Sequence, residues 1–185
     1  MKLNSCFYPS FSFKNRLARF FWNIVWLVFF RFSPRFFYPW RWLLLTLFGA
    51  TIGRKCRISP RVIIWAPWNL RLGKAVVLSD DVFIYNQAQV DIGDGAVVSY
   101  GTQICTGSHD YCKESFPLIT KPIFIEPRAW VCAQVFILGG VTIGEGSVVG
   151  ARSVVTKDLS SWKVYAGNPV RAANTRILVE STTKE

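Results

Sequence analysis

The residue of this chain best suited to acid–base chemistry is its only histidine, His109, which stands between Ser108 and Asp110. An imidazole can take up and release a proton near neutral pH, so a well-placed histidine can act as a general base. A lone histidine in an arbitrary sequence is more often a surface residue without a catalytic role. Its chemistry therefore depends on the elements that hold it in place.

Those elements are predicted by a repeat of six residues. An aliphatic residue recurs every six positions, and a small or β-branched residue follows most of these by four. This period fits neither an α-helix nor one alternating strand. It is typical of a β-solenoid, in which each hexapeptide forms a short strand and a corner. The aliphatic positions are Ile92, Val98, Ile104, Ile125, Val131, Ile137, Ile143, Val149 and Val155, and the small ones are Ala96, Thr102, Ser108, Ala129, Val135, Val141, Ser147 and Ser153.

The repeat begins near Ile52, and three hexapeptides form one turn of the predicted solenoid. The steps from Ile52 to Leu72 and from Leu72 to Ile92 are each 20 residues, which is two more than three hexapeptides need. The early turns are therefore predicted to carry two extra residues at one corner, near Leu70 and Val90.

The repeat has one large interruption, between Ile104 and Ile125. Residues 109–121 are predicted to leave the solenoid as a loop, with His109 at its start. Loops held by a rigid scaffold often carry functional residues. This position favours a catalytic role for His109 over that of an ordinary surface histidine.

Residues 1–50 form a separate segment rich in aromatic and basic side chains. Thirteen lysines and arginines precede the first acidic residue, Asp80, in a chain with a net charge of +11. The two apolar runs of the segment, Phe20–Phe30 and Leu43–Ala50, are each too short to span a bilayer, which takes about 20 residues. We expect two short helices joined by a turn that contains Pro34. The segment is predicted either to lie in a membrane interface or to cap the open end of the solenoid, and the two roles are compatible.

Composition narrows the function classes further. Five cysteines are scattered without metal-ligand spacing, which indicates reduced thiols in a cytoplasmic protein and no metal site. The chain shows no cleavable signal pattern. The basic half lacks a recognised nucleic-acid-binding motif, and its apolar runs suit lipid better. We therefore expect a cytoplasmic protein that can associate peripherally with the inner face of the cell membrane and does not bind nucleic acid.

Several motifs stand in order along the chain and carry a family resemblance. Over nearly its whole length the chain resembles the hexapeptide-repeat acyltransferases, and among them the maltose/galactoside and colanic-acid-biosynthesis types of O-acetyltransferase. The motifs are Ile92-Gly-Asp-Gly95, Cys105-Thr-Gly-Ser-His-Asp-Tyr111, Val141-Thr-Ile-Gly-Glu-Gly-Ser-Val-Val-Gly-Ala151, Val154-Val-Thr-Lys-Asp158 and Ala166-Gly-Asn-Pro169.

The resemblance implies an all-β fold, a left-handed parallel β-helix. Together with the repeat it predicts three parts: a helical N-terminal segment at 1–50, an acyltransferase domain at 51–165 with the loop 109–121, and a C-terminal cap and tail at 166–185. It also implies acetyl-CoA as the acyl donor, and a homotrimer whose active sites lie between subunits. The reaction it implies is acetylation of a sugar hydroxyl in exopolysaccharide biosynthesis.

The resemblance further implies roles for individual residues. His109 corresponds to the general base that removes the proton from the attacking hydroxyl. The acceptor, a sugar or a lipid-linked glycan, is predicted to contact Trp130, Asn86, Asp110 and Tyr111. The arm of coenzyme A is predicted to contact Ala133, Ala151, Arg152, Thr156 and Lys157.

Asp81 departs from the family, because the maltose/galactoside enzymes have an asparagine at this position near the catalytic histidine. As a carboxylate, Asp81 is predicted either to orient His109 and support its charge or to be a solvated corner residue.

Two other functions compete with acetyl transfer. A β-helix carbonic anhydrase needs three histidines on zinc, which one histidine cannot supply. A non-catalytic solenoid at the membrane surface is the alternative, and the motifs around His109 argue against it.

Overall fold

The computed structural model describes residues 11–178, in which short parallel strands coil into a solenoid with three faces. Five complete turns are followed by a partial sixth turn. The strands in chain order are β1 (Thr51–Ile52), β2 (Arg57–Ile58), β3 (Ile63–Ile64), β4 (Leu70–Leu72), β5 (Val77–Leu78), β6 (Phe83–Tyr85), β7 (Val90–Ile92), β8 (Val97–Val98), β9 (Gln103–Cys105), β10 (Gly107–His109), β11 (Leu118–Thr120), β12 (Ile123–Ile125), β13 (Trp130–Val131), β14 (Phe136–Leu138), β15 (Thr142–Ile143), β16 (Val148–Val149), β17 (Val154–Val155), β18 (Lys163–Ala166) and β19 (Arg171–Thr175).

Each face is one parallel sheet. The first face contains β1, β4, β7, β12 and β15; the second contains β2, β5, β8, β13, β16 and β18; the third contains β3, β6, β9, β14 and β17. We call the bend between the first and second faces the first corner, that between the second and third faces the second corner, and that between the third and first faces the third corner. The antiparallel strand β19 pairs with β18 at the edge of the second face.

The predicted aliphatic positions form the core, and the predicted β-helix is confirmed. All nine aliphatic residues from Ile92 to Val155 are buried, and aliphatic residues of successive turns stack in register, as Ile58 does on Leu78. Ser108 is an exception to the predicted pattern, because it is exposed and already belongs to the excursion. Thr106 is the buried corner residue instead.

The extra residues of the early turns lie at the third corner. They fall within 65–69 and 86–89, just ahead of the predicted positions near Leu70 and Val90. The predicted C-terminal cap and tail begin at residue 166. The boundary between 165 and 166 falls inside β18, and 167–170 connect β18 to β19. Residues 1–10 and 179–185 of the predicted terminal segments lie outside the described residues.

Two helices cover the N-terminal end of the solenoid, as predicted. Helix α1 (Phe13–Val25) continues into a π-helical turn (Trp26–Phe30), and a segment containing Pro34 leads to helix α2 (Tyr38–Leu47). Helix α1 begins before the apolar run that suggested it. No helix within residues 11–178 combines the length and the apolar character that crossing a bilayer requires.

The first turn of the solenoid has no preceding turn to pair with. The inner side of the cap takes the place of that missing turn. Backbone N–H groups of the first turn bond to carbonyls of the second, at Val76, Leu78, Val82 and Ile84. The equivalent carbonyls of the first turn point the other way, and unpaired sheet edges are unfavourable. Side chains of the cap donate to all four: Trp42 Nε1 to Cys56 O (3.0 Å), Arg41 Nε to Ile58 O (2.7 Å), Trp26 Nε1 to Val62 O (2.8 Å) and Trp22 Nε1 to Ile64 O (2.6 Å).

Arg41 is the centre of the cap. It is fully buried, and its terminal nitrogens donate to Ser33 Oγ (2.6 Å), Pro34 O (2.9 Å) and Arg35 O (2.6 Å). Burial lowers the pKa of the guanidinium, but every one of these acceptors is an oxygen that stabilises the cation. These bonds therefore give a structural basis to the prediction that the segment 1–50 caps the open end of the solenoid.

Candidate active site

The interruption of the repeat is a β-hairpin. Strands β10 and β11 pair antiparallel, with Gly107 opposite Thr120 and His109 opposite Leu118. The hairpin leaves the third corner after the third turn and returns where Lys121 N donates to Thr106 O (2.9 Å). The ends of the predicted loop 109–121 are thus paired as strands, and its exposed tip follows His109.

His109 is held by a residue on the returning side of the hairpin. Its Nδ1 lies 2.8 Å from the carbonyl oxygen of Phe116, and its ring stacks on the Phe116 ring with centroids 4.5 Å apart and an angle of 6°. A carbonyl oxygen can only accept, so Nδ1 carries the proton when the imidazole is neutral. The lone pair is then on Nε2, where it can accept a proton.

The base of the hairpin is fixed by buried backbone contacts. Thr106 Oγ1 donates to Tyr85 O (3.1 Å) and accepts from Ala88 N (3.0 Å). The chain of the next turn passes so close that a Cβ added at Gly139 would lie 2.7 Å from Thr106 O. A larger residue at position 139 would therefore displace the strand that leads into His109.

A cleft of about 350 Å³ opens beside His109. It brings together four of the predicted site residues, His109, Asp110, Tyr111 and Thr156, with Lys121 as its only lysine. Residues predicted for the acceptor side and for the donor side thus share one cleft. The carboxylate of Asp110 also serves the hairpin, since it accepts from Cys112 N (3.1 Å) and pairs with Lys113 (3.4 Å).

Asn86 does not reach this cleft, which corrects the prediction that it contacts the acceptor. Its side chain is fully buried at the third corner. The amide oxygen accepts from Ala66 N (2.9 Å), and the amide nitrogen donates to Ala66 O (2.7 Å) and Asn69 O (3.1 Å). Every strong bond of the amide goes to backbone, so Asn86 has a structural role in linking the first two turns.

Asp81 lies at the second corner, away from His109 within the chain. Its carboxylate forms two hydrogen bonds with Arg61, at 2.8 and 2.7 Å, and these raise the pKa of the guanidinium. Its backbone φ is 59°, and the equivalent corner residues Gln134 and Arg152 have φ of 58°. Aspartate and asparagine tolerate this left-handed conformation well. A contact between Asp81 and His109 would require a neighbouring subunit and stays a prediction.

The remaining predicted residues lie at separate places on the surface. Trp130 is on the second face, is 45% exposed and donates from Nε1 to Ser99 Oγ (3.0 Å). It borders a groove of about 580 Å³ that does not include His109. Three of the predicted donor-side residues, Ala133, Ala151 and Arg152, are at the second corner, whereas Thr156 and Lys157 are at the third.

Sequence reasoning missed Phe116, Thr106 and Lys121. Thr106 was within reach, because it belongs to the motif that contains His109. Phe116 acts through its backbone carbonyl and its ring face, and no spacing pattern marks either property. Within residues 11–178, no group of three histidine, cysteine, aspartate or glutamate side chains could hold a metal ion.

Comparison with known proteins places the chain in a family. Residues 122–157 match the family described as bacterial transferase hexapeptide (six repeats). The Escherichia coli protein WcaF, named as a colanic acid biosynthesis acetyltransferase, is 42% identical over 159 residues, covering 86% of this chain and 87% of WcaF. The E. coli galactoside O-acetyltransferase is 30% identical over 125 residues, covering 66% of this chain and 62% of that protein.

Solved structures agree with this placement. A hexapeptide-repeat acetyltransferase of Vibrio cholerae complexed with acetyl-CoA superposes with a TM-score of 0.83 at 26% identity, covering 96% of this chain and all of that one (100%). A galactoside acetyltransferase in complex with coenzyme A superposes with a TM-score of 0.81 at 25% identity, covering 91% of this chain and 85% of that one. The chain belongs to the hexapeptide-repeat transferases. Within that family it is an acetyl-CoA-dependent acetyltransferase, and the non-catalytic alternative is not supported.

Proposed function

We propose that this acetyltransferase moves the acetyl group of acetyl-CoA to a sugar hydroxyl during exopolysaccharide biosynthesis. The observation that carries the proposal is the geometry of His109, whose Nδ1 is committed to Phe116 O at 2.8 Å. This leaves Nε2 as a base beside a cleft that also holds Thr156. The similarity to WcaF supports an exopolysaccharide as the acceptor.

In the proposed reaction, Nε2 of His109 removes the proton of the sugar hydroxyl as its oxygen attacks the carbonyl carbon of the thioester. A C–O bond forms, the C–S bond breaks, and the thiolate of coenzyme A leaves. The proton then passes from Nε2 to that sulfur, so the histidine returns to its starting state. The Phe116 carbonyl stabilises the imidazolium in between, because it accepts from Nδ1–H throughout. Holding both substrates in one cleft supplies much of the rate.

We propose that the enzyme is a homotrimer with shared sites. The predicted site residues are divided between the second face, the second corner and the third corner of one chain, and packing solenoids side by side would bring such surfaces together. Val77, Val97, Trp130 and Val148 form an outward-facing apolar column on the second face, in which Trp130 is exposed and the valines are half-buried, and this suits a subunit contact.

Subunit mixing tests the shared site. His109→Asn and Trp130→Ala trimers are each expected to be nearly inactive. Co-expression of the two variants should restore part of the activity, because some sites then combine an intact His109 with an intact Trp130 from a neighbour. Fully active monomers by light scattering, or no restoration in mixed trimers, would refute sharing.

We also propose that the cap is a peripheral membrane contact on the cytoplasmic side, where acetyl-CoA is available. Both helices leave large apolar side chains exposed, including Phe13 at 70% and Leu47 at 71%. The cap therefore has one side that bonds to the solenoid and another that is suited to lipid.

Acetyl transfer is tested with radiolabelled acetyl-CoA and a base-deacetylated bacterial exopolysaccharide. We expect alkali-labile label in the polysaccharide with the wild type and none with His109→Asn. Transfer at the wild-type rate by a folded His109→Asn protein would exclude the mechanism, and no transfer to any polysaccharide or oligosaccharide acceptor would exclude the function.

A further inference from the structure

The outer side of the cap exposes large apolar side chains from both helices. Phe13, Leu17, Phe20 and Ile24 follow the spacing of one helix face. We define the outer cap surface by these four residues of α1 and by Leu43 and Leu47 of α2, all of which are between 43% and 71% exposed. The opposite helix faces carry the tryptophans and Arg41 that bond to the first turn.

The charge of the cap identifies lipid as the occupant of this surface. Lys14, Arg16 and Arg31 are exposed on the same helical layer, and residues 11–79 contain no aspartate or glutamate. A second copy of the cap would bring like charges together without an acid to pair them. An anionic bilayer instead attracts each such cation by about 1 kcal/mol and accepts the apolar side chains.

The orientation of the enzyme on a membrane follows from the bonds beneath the cap. The carbonyls of Cys56, Ile58, Val62 and Ile64 point along the solenoid axis, away from the second turn, and the cap lies across them. The outer cap surface is therefore perpendicular to the axis. In a cyclic trimer whose solenoid axes run parallel to the symmetry axis, equivalent surfaces lie at one level along that axis, so all three caps would face the same bilayer.

The distance from this surface to the reacting site is set by the solenoid. His109 leaves the third turn, two strand spacings of about 4.8 Å beyond the first. The helix layer adds about 10 Å. His109 is thus roughly 20 Å above the bilayer surface when the cap is bound.

We infer that the acceptor is an oligosaccharide carried on a membrane lipid, acetylated on a sugar beyond the one attached to the lipid. This inference rests on the proposed acetyl transfer to a sugar. A hydroxyl at the bilayer surface is too low to enter the cleft, and a freely dissolved glycan gains nothing from an enzyme held on the membrane. A lipid-linked chain of several sugars meets both conditions, since it is confined to the surface and extends to the height of His109.

The inference is tested with lipid-linked glycans extracted from bacterial membranes and placed in phosphatidylglycerol-containing vesicles. The same glycans released by mild acid serve as the soluble form. The full-length variant Leu17→Glu/Phe20→Glu/Leu47→Glu removes the outer cap surface. Ile177→Glu, at a side chain that is 80% exposed but distant from the cap, is the matched control.

We expect wild type and Ile177→Glu to acetylate the vesicle-borne glycan about tenfold faster than the released form, because co-localisation raises the effective concentration. The triple variant should lose this advantage and keep its rate on the released glycan. Equal or faster acetylation of the released glycan by wild type overturns the inference while leaving the proposed function intact. If neither form of the glycan is acetylated, both the inference and the proposed function are overturned.

The height is measured independently of any acceptor. A fluorophore on Cys112, at the hairpin tip, transfers energy to acceptor dyes in the lipid headgroups, with the other cysteines replaced by serine. We expect a separation of roughly 20 Å for the wild-type cap. A fluorophore in contact with the headgroups would overturn the inference, as would vesicle binding that persists in the triple variant.

Discussion

The cap and the hairpin are the two regions that depart from the six-residue repeat, and they use their polar groups in opposite ways. In the cap, the indole N–H groups of Trp22, Trp26 and Trp42 and the Nε–H of Arg41 are all committed to backbone carbonyls of the solenoid. In the hairpin, one nitrogen of His109 is committed to Phe116, and no residue within 11–178 bonds to the other.

The difference is one of burial as well as bonding. Trp22 and Arg41 are fully buried, whereas residues 111–116 of the hairpin tip are all exposed. Substitutions in the cap should therefore reduce the free energy of unfolding, and substitutions in the hairpin should reduce the rate of reaction. Each of the following predictions can break or sharpen that division.

The largest effect is expected for His109→Asn. The Asn side-chain nitrogen can replace Nδ1 and still donate to Phe116 O, but the base at Nε2 is lost. Loss of a general base costs about 10²–10⁴ in rate, and kcat should fall by this amount with an unchanged melting temperature. A folded variant with near-normal kcat would show that the hairpin does not supply the base.

Arg41→Met should have the largest effect on stability. It leaves the buried Ile58 O without its donor and removes three part-buried bonds within the cap, which together cost about 3 kcal/mol. The exposed Arg54→Met is the control and should change the free energy of unfolding by less than about 0.5 kcal/mol. Similar urea denaturation midpoints for the two variants would contradict the capping account.

Trp22→Phe tests a single capping bond. Its Nε1 donates to the buried Ile64 O, so the change should cost about 1–3 kcal/mol. Trp40→Phe loses an exposed bond to Phe29 O and should cost clearly less. If the two variants unfold at the same denaturant concentration, the edge carbonyls do not need the cap.

Asn86→Ala should lower stability by about 1–3 kcal/mol, because it leaves buried backbone groups of Ala66 and Asn69 unpaired. The KM for the sugar acceptor should not change, since the side chain does not reach the cleft. A rise in KM at unchanged stability would restore the role first predicted for this residue.

The smallest effect concerns thiol reactivity. Burial raises the pKa of Cys132 and of Cys56, so a smaller fraction of each is thiolate at neutral pH, and alkylation should need higher pH than for an ordinary thiol. Mass spectrometry of iodoacetamide-treated protein at several pH values checks this. Labelling of Cys132 at neutral pH as fast as that of a small thiol would contradict it.

The sequence predicted the solenoid well because the six-residue period is a property of side chains facing the core. It also predicted the excursion and its histidine, since both interrupt that period. It misassigned Asn86, because a polar residue in a motif looks the same whether it meets substrate or backbone. The bonds of Phe116 and of the cap involve main-chain carbonyls, which no residue type reveals, and the separation of Asp81 and Trp130 from His109 depends on which face each strand occupies.

The most direct test of the account is the protonation state of His109, and the chain offers an unusually clean measurement because it has one histidine. In protein with ¹⁵N-labelled histidine and no histidine tag, long-range ¹H–¹⁵N correlation spectra distinguish the two neutral tautomers. We predict that Nδ1 carries the proton and Nε2 is unprotonated, as donation to Phe116 O requires. A neutral imidazole protonated on Nε2 would contradict the assignment of His109 as the general base.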